Sequence, residues 1–354
     1  MKKEKGFYVG RLSPGCEMCA KGAKLVLFVT GICGKGCGFC PLSEKRRDKD
    51  IAWANEREIT GIEDILIEAE EMNALGAGIT GGDPILRLER TLEYISLLKK
   101  RFGPDFHIHL YTATPVSKEN LQKIKKAGLD EIRFHLTDYE NQENTGIWKS
   151  IESAVELDLH TGVEIPAIPG ADSAIAEIAH RLNNVGAAFL NLNELEFSDT
   201  NQEEMQRMGY KLKDELSHAA RGSEETAKKA IETAPEFNIH FCSSSFKDSV
   251  QLKNRLLRRA KRTAKPYETI TEEGLLLKGI VTGAADLKRL RIRLMEEYDI
   301  PADLIAFDPV KLRLETTAEI AAFLAENHRG AGLVYAVIEE YPTADRLEVE
   351  KHIL

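Results

Sequence analysis

Short apolar runs alternate along this chain with stretches whose apolar residues recur every three or four positions. KLVLFVTG (24–31) reads as a strand. Thr60-x-x-Glu63 then offers a capping box for a helix with Ile62, Ile65, Leu66 and Ala69 on one face. AGIT (77–80) is the next strand, a helix follows around 88–102, and HIHLYT (107–112) is a third strand. Behind it, Ser117 is a candidate N-cap and Gly128 the stop. EIRFHL (131–136), TGVEIPAI (161–168) and AAFLNLNELEF (187–197) continue the rhythm. A helical stretch from about 201 to 231 leads to one more strand, NIHFCSS (238–244). Repeated strand–helix units predict a parallel sheet, open or closed into a barrel.

Buried parallel strands are normally near-continuous Val/Ile/Leu runs. Here polar residues recur with a period of two. His107, His109 and Tyr111 share one face, as do Arg133 and His135, Asn191 and Asn193, and His240 and Cys242. Ile108, Leu110, Ile132, Phe134, Leu192 and Phe241 fall on the other face, toward the helices. Repetition over four strands points to a polar interior. That makes His109, Arg133, His135, Asn193 and Cys242 the candidate catalytic residues.

From about residue 274 the pattern changes to strand, helix, two strands, helix and two further strands, with no cysteine. This predicts a separate α+β unit of ferredoxin-like order. The expected organisation is an extension over 1–23, an α/β partial barrel over 24–250, a basic helical linker over 251–273 and the α+β domain over 274–354. Apolar residues make up 43% of the 354, enough for sizeable cores. The formal net charge of −9 disfavours nonspecific binding to polyanions. The first residues carry charge with no apolar stretch behind them, and no run suits a membrane span. The expectation is a cytoplasmic protein whose thiols stay reduced, where clustered cysteines serve metal or redox chemistry.

Three of the six cysteines lie in GICGKGCGFC (31–40), spaced C-x3-C-x2-C as Cys33, Cys37 and Cys40. The pairs Cys16/Cys19 and Cys37/Cys40 match zinc-ribbon spacing. That reading leaves Cys33 idle and puts an apolar strand inside the ribbon. A [4Fe-4S] cubane held by three thiolates instead keeps one iron open to a small chelating molecule. Gly34, Gly36 and Gly38 suit a loop wrapped closely around such a cluster.

A C-x3-C-x2-C loop after the first strand, with Phe39 before its last cysteine, resembles the radical SAM superfamily. TGGDP (80–84), after the second strand, resembles that family's GGEP-like turn, with Asp83 in place of Glu. The likeness spans roughly residues 20–245 and is nearest to proteins related to pyruvate formate-lyase activating enzyme. It implies a [4Fe-4S] cluster on Cys33, Cys37 and Cys40, with S-adenosylmethionine (SAM) on its open iron. Gly81, Gly82, Asp83 and Pro84 would then hold the SAM amino group. It further implies SAM contacts at Thr112, Arg133 or His135, Glu164 to Ile168, and Asn191. The implied chemistry is reductive cleavage of SAM, driven by a ferredoxin or flavodoxin, and hydrogen abstraction from a substrate. Protein, small-metabolite and RNA substrates all remain open, as does a non-catalytic iron–sulfur or zinc-ribbon binding module.

Two features lie outside that core. Cys16, Cys19 and Cys242 offer ligands for an auxiliary iron–sulfur cluster; the alternatives are a reduced pair with a buried thiol, or Cys242 as a hydrogen-atom donor. The run Lys253–Lys265 contains seven basic residues and no acid. It is either a solvated helix face or a phosphate-binding surface for RNA.

Overall fold

A computed structural model of the chain describes residues 7–136, 146–328 and 332–354. The chain divides into two units: residues up to 70 with 74–252, and residues 71–73 with 253–354.

The first unit is built on a ten-stranded sheet. Its strands are β1 (Phe7–Val9), β2 (Lys24–Phe28), β3 (Trp53–Ala54), β4 (Arg57–Glu58), β5 (Gly76–Thr80), β6 (His107–Thr112), β7 (Glu131–Phe134), β8 (His160–Ala167), β9 (Phe189–Glu194) and β10 (Ile239–Cys242). The order is β1-β10-β9-β8-β7-β6-β5-β2-β3-β4. Among the described residues, β2 and β5 through β10 run parallel, each beside its neighbour in that order. β1 adds antiparallel to β10 and β3 to β2, so the sheet ends in two separate edges and remains a partial barrel.

The helices of this unit are α1 (Pro14–Ala20), α2 (Glu63–Glu71), α3 (Leu88–Phe102), α4 (Lys118–Ala127), α5 (Ile147–Glu156), α6 (Asp172–Asn184), α7 (Gln202–Arg207), α8 (Ser223–Thr233) and the single turn α9 (Ser244–Phe246). Ser117 caps α4 through the Asn120 amide, and Gly128, left-handed at φ 111°, ends it, as expected. Three local expectations change. The carboxylate of Asp64, not Glu63, reaches back to the amides of Thr60 and Gly61 and to the Thr60 hydroxyl. The helical stretch expected over 201–231 is two helices, because Gly209 and Gly222 adopt left-handed φ angles of 84° and 91°. The segment before the first parallel strand forms α1, with Ser13 as N-cap and Pro14 at its first position.

The second unit contains α10 (Lys253–Thr263), β11 (Thr269–Ile270), β12 (Leu276–Thr282), α11 (Leu287–Tyr298), β13 (Ile305–Asp308), β14 (Arg313–Thr316), α12 (Ala318–Asn327), β15 (Val334–Glu340) and β16 (Glu348–Ile353). From β12 to β15 the element order is βαββαβ, and the sheet order β13-β14-β12-β15-β16 has the ferredoxin-like arrangement, with β16 added at one edge and β11 paired to the start of β12. Val281, Leu290, Leu294, Leu314 and Leu324 form its main apolar core. The stretch expected as a linker belongs to this unit from Lys253 onward. Arg259 is 4% exposed and bonded to the Pro342 carbonyl and Glu71, Arg258 bonds the Asn73 carbonyl, and Lys253 pairs with Glu273 at 2.9 Å. Lys261, Arg262 and Lys265 remain exposed. The first half of the basic run is therefore committed to internal contacts, and its second half is exposed.

Candidate active site

The polar face of the parallel strands points into the barrel, and α1 lies against it. Glu131, at the start of β7 and fully buried, accepts hydrogen bonds from the Ser13 hydroxyl (3.3 Å) and the Gly15 amide (3.2 Å). Arg133 donates to Glu131 (2.6 Å), Ser13 (3.0 Å), Tyr111 (3.2 Å) and Glu164 (2.6 Å). A Cβ on residue 15 would stand 2.4 Å from Arg133 Nη2 and 2.7 Å from His109 Nδ1. Only glycine allows so close an approach. Lys24, His107, Glu131 and His160 all lie at strand N-termini, so α1 plugs the N-terminal end of the barrel.

This placement separates the expected catalytic residues. His109 and Arg133 are 1% and 2% exposed beneath α1, where Arg133 bonds Ser13 and His109 lies against Gly15. Asn191 is there too, accepting from His240 Nδ1 at 2.5 Å with the Cys16 thiol 3.7 Å away. His135, Glu164 and Asn193 stand nearer the strand C-termini and are only partly buried. Asn193 donates to Glu164 Oε1 (2.8 Å), and His135 Nδ1 bonds the Glu164 carbonyl (2.9 Å). Burial holds the His135 imidazole below its ordinary pKa, so it is neutral near pH 7.

The remaining cysteines follow the plug. Cys16 lies 3.5 Å from Arg133 Nη2. Cys242 packs on Ala20 and Phe246 and accepts from Gln251 at 3.4 Å. Burial pushes the Cys19 and Cys242 thiols up to about 12. Cys16 and Cys19 lie on α1 at the N-terminal end of the strands and Cys37 and Cys40 on the loop after β2 at their C-terminal end, so the two C-x2-C pairs stand at opposite ends of the barrel and do not form the zinc-ribbon arrangement.

Cys33, Cys37 and Cys40 occupy the loop after β2, at the C-terminal end of the barrel. The Cys40 amide closes a turn on the Cys37 carbonyl (3.0 Å). Arg47 donates to the Cys40 carbonyl (2.8 Å) and Asn201 to that of Phe39 (2.9 Å). Burial raises the Cys33 and Cys37 thiols; Asp83 and Cys40 add to this at Cys33, and Cys33 and Cys40 at Cys37. Gly34 and Gly36 adopt φ of 79° and 63°, with open space where their Cβ atoms would stand. Cubane thiolates bind different irons and so stand apart instead of meeting at one point. Three thiols on one braced, outward-open loop fit such a cluster.

The TGGDP turn is joined to this loop by backbone hydrogen bonds. Gly82 N donates to Thr30 O (2.7 Å) and Asp83 N to Ile32 O (2.8 Å). Cβ atoms at Gly81 and Gly82 would lie 2.5 Å from Thr30 O and 2.4 Å from Ile32 O. Asp83 is fully buried. Its carboxylate accepts from the hydroxyls of Thr112 (2.9 Å) and Thr114 (2.7 Å) and from the amides of Ala113 (2.9 Å) and Ile85 (3.1 Å). It anchors the end of β6, and Thr112 serves the same anchor. Pro84 opens the short turn that Asp83 caps, Ile168 closes β8, and the Phe39 ring lies 6.0 Å from that of His135. Sequence reasoning missed Asp50, Thr30 and Asn201, which brace the loop; no periodicity marks them.

The Radical SAM superfamily pattern matches residues 27–182, and a domain of unknown function, DUF8061, matches residues 274–354. A protein of Methanocaldococcus jannaschii, provisionally named a glycyl-radical enzyme activating enzyme, is 43% identical over 351 residues, covering 96% of this chain and 92% of that one. Among solved structures, Streptococcus suis SuiB bound to S-adenosylmethionine is similar at 13% identity and a TM-score of 0.44, over 63% of this chain and 50% of that one. Methylornithine synthase is similar at 12% identity and a TM-score of 0.43, over 65% and 72%.

Proposed function

The chain belongs to the radical SAM superfamily, and on that premise we propose that it abstracts a hydrogen atom from a glycyl residue of a partner protein presented at the C-terminal mouth of the barrel. The observation that supports radical SAM chemistry at this mouth is the joining of the TGGDP turn to the cysteine loop through Thr30 and Ile32, on which the two motifs are read as one site. The name of the methanogen relative supports the glycyl substrate class. Of the basic run, Arg259 is buried, Arg258 bonds the Asn73 carbonyl and Lys253 pairs with Glu273, and the exposed Lys261, Arg262 and Lys265 give an RNA substrate no comparable support.

Cys33, Cys37 and Cys40 would hold the [4Fe-4S] cluster, and the Gly81–Gly82 backbone would flank bound SAM. When bound and reduced by a low-potential protein donor, the pair supplies reductive cleavage of the sulfonium to methionine and a hydrogen-abstracting 5′-deoxyadenosyl group. Asp83 fixes the turn to β6 with its acceptors already occupied. The plug formed by α1 closes the opposite end, so substrate and water enter from one side. His135, Glu164 and Asn193 face that entrance as a bonded group, with Glu164 12% exposed and tied to Arg133 behind it.

The test is isotopic. Reconstituted protein, SAM and a reductant are incubated anaerobically with a candidate partner carrying Cα-deuterated glycine. Deuterium in 5′-deoxyadenosine supports the reading; 5′-deoxyadenosine formed without deuterium from any glycyl partner contradicts it.

A further inference from the structure

Asp50 lies ten residues beyond the last cysteine of the loop, where the chain returns toward β2. Its carboxylate receives three side chains from two other segments. Thr30, at the end of β2, donates its hydroxyl at 2.9 Å. Arg87, just before α3, donates Nε at 2.8 Å, and Arg90, in the first turn of α3, donates Nη1 at 2.7 Å. Arg90 also donates to the Val29 carbonyl at 3.0 Å.

Each partner belongs to the joint between the two motifs. Thr30 gives its carbonyl to Gly82 N, and its hydroxyl also accepts from Ile32 N at 3.2 Å. Arg87 and Arg90 follow directly on the Gly82–Pro84 turn. The returning segment is itself pinned, with Gly31 N donating to Lys49 O at 2.8 Å and Asp48 N to Gly31 O at 3.1 Å. A Cβ on Gly31 would stand 1.7 Å from the Arg46 carbonyl. The loop therefore leaves and returns through one crowded point, and Asp50 ties that point to the helix carrying the turn.

We propose that Asp50 is a positioning residue: through Thr30, Arg87 and Arg90 it sets the spacing between the cysteine loop and the Gly81–Gly82 turn, and so the affinity of the iron-loaded site for SAM. The proposal rests on the reading of these two motifs as one SAM site. Charge-assisted hydrogen bonds with several donors hold a carboxylate more firmly than neutral ones, and Arg forks add direction. Residues that orient a metal site without touching the metal change affinity or activity by about 10–100-fold when removed.

The test compares wild type, Asp50→Ala and Asp50→Asn at equal iron content. SAM affinity is measured by calorimetry, and the change in the cluster's EPR spectrum on SAM addition is recorded. Asp50→Ala is expected to weaken SAM binding about tenfold or more and to reduce the SAM-induced spectral change. Asp50→Asn keeps an acceptor for Thr30 and Arg90 and is expected to recover part of both. In the metal-free chain, Asp50→Ala is expected to speed amide hydrogen exchange at residues 30–33 and 81–83. Wild-type affinity, spectrum and exchange in Asp50→Ala overturn the proposal. If that variant does not fold, Thr30→Val carries the same comparison. If the wild-type chain binds no SAM, the reading of the site fails, while the exchange measurement still decides the role of Asp50.

Discussion

Gly15 on α1 and Arg133 on β7 meet so closely that a Cβ at residue 15 would lie 2.4 Å from Nη2 of the arginine. The guanidinium cannot retreat, because Glu131, Glu164, Ser13 and Tyr111 hold it. Gly15→Ala is expected to destabilise the first unit by about 1–3 kcal/mol, the usual cost of overpacking. Thermal or denaturant unfolding checks it, and a neutral result would mean that the plug yields freely.

Asp83 gives a second stability prediction with a functional edge. Asp83→Ala leaves the Thr114 hydroxyl and the amides of Ala113 and Ile85 short of an acceptor, and the Thr112 hydroxyl with only the Thr114 carbonyl at 3.2 Å. A loss of about 2–4 kcal/mol follows. Asp83→Asn is expected to cost less, because one oxygen remains to accept. Unfolding of the metal-free protein separates this from any effect on SAM.

The plug also predicts a pH dependence. Lys24 is 5% exposed and donates to His107 Nδ1 (2.9 Å) and the His107 carbonyl (2.6 Å), with Cys19, Glu131 and Arg133 nearby. Burial lowers the lysine from 10.5 to about 7. Between those values the unfolded chain holds a proton that the folded chain has released, so stability rises with pH. The slope from this group is at most about 1.4 kcal/mol per pH unit. Above pH 9 the Cys19 and Cys242 thiols act oppositely, because burial raises them from 9.0 to about 12. The informative window is therefore pH 7 to 9. There Lys24→Met is expected to flatten the slope in denaturant titrations.

The two histidines of the polar face should behave differently. His109 is buried under α1 with no hydrogen-bond partner for Nδ1 among the described groups, whereas His135 is only partly buried, beside Phe39. His135→Gln is expected to slow substrate-dependent turnover while SAM cleavage without substrate persists. His109→Gln is expected to act mainly through stability. Parallel assays of 5′-deoxyadenosine formation, with and without substrate, distinguish them.

Much of this arrangement is legible in the sequence. The parallel strands from KLVLFVTG to NIHFCSS follow their hydrophobic runs, because burial between helices and lumen leaves little freedom in composition. The period-two polar face is also real. Periodicity, however, gives the face and not the height along the barrel. His109 lies in the first half of β6 and Arg133 reaches back to Glu131 and Ser13, so both meet the plug, while His135 and Asn193 sit at strand ends and meet the mouth. The plug itself was masked by Cys16 and Cys19, whose spacing suggests metal. Its local signals, Ser13 as N-cap and Pro14 behind it, are ordinary helix-start chemistry, but its burial depends on Glu131, more than a hundred residues away. Asp50 was illegible for a similar reason: Arg87 and Arg90 give it meaning only once the cysteine loop folds back.

The most direct test of the joined site is formation of 5′-deoxyadenosine from SAM by the reduced, iron-loaded chain, compared with Gly82→Ala at the same iron content. A Cβ at Gly82 would press within 2.4 Å of the Ile32 carbonyl and 2.6 Å of that of Gly31, forcing the turn off the cysteine loop. Wild type is expected to cleave SAM, and the variant to do so about a hundredfold more slowly, the scale set by a misplacement of about 1 Å. No 5′-deoxyadenosine from the wild-type chain, or equal rates from the two proteins, would contradict it.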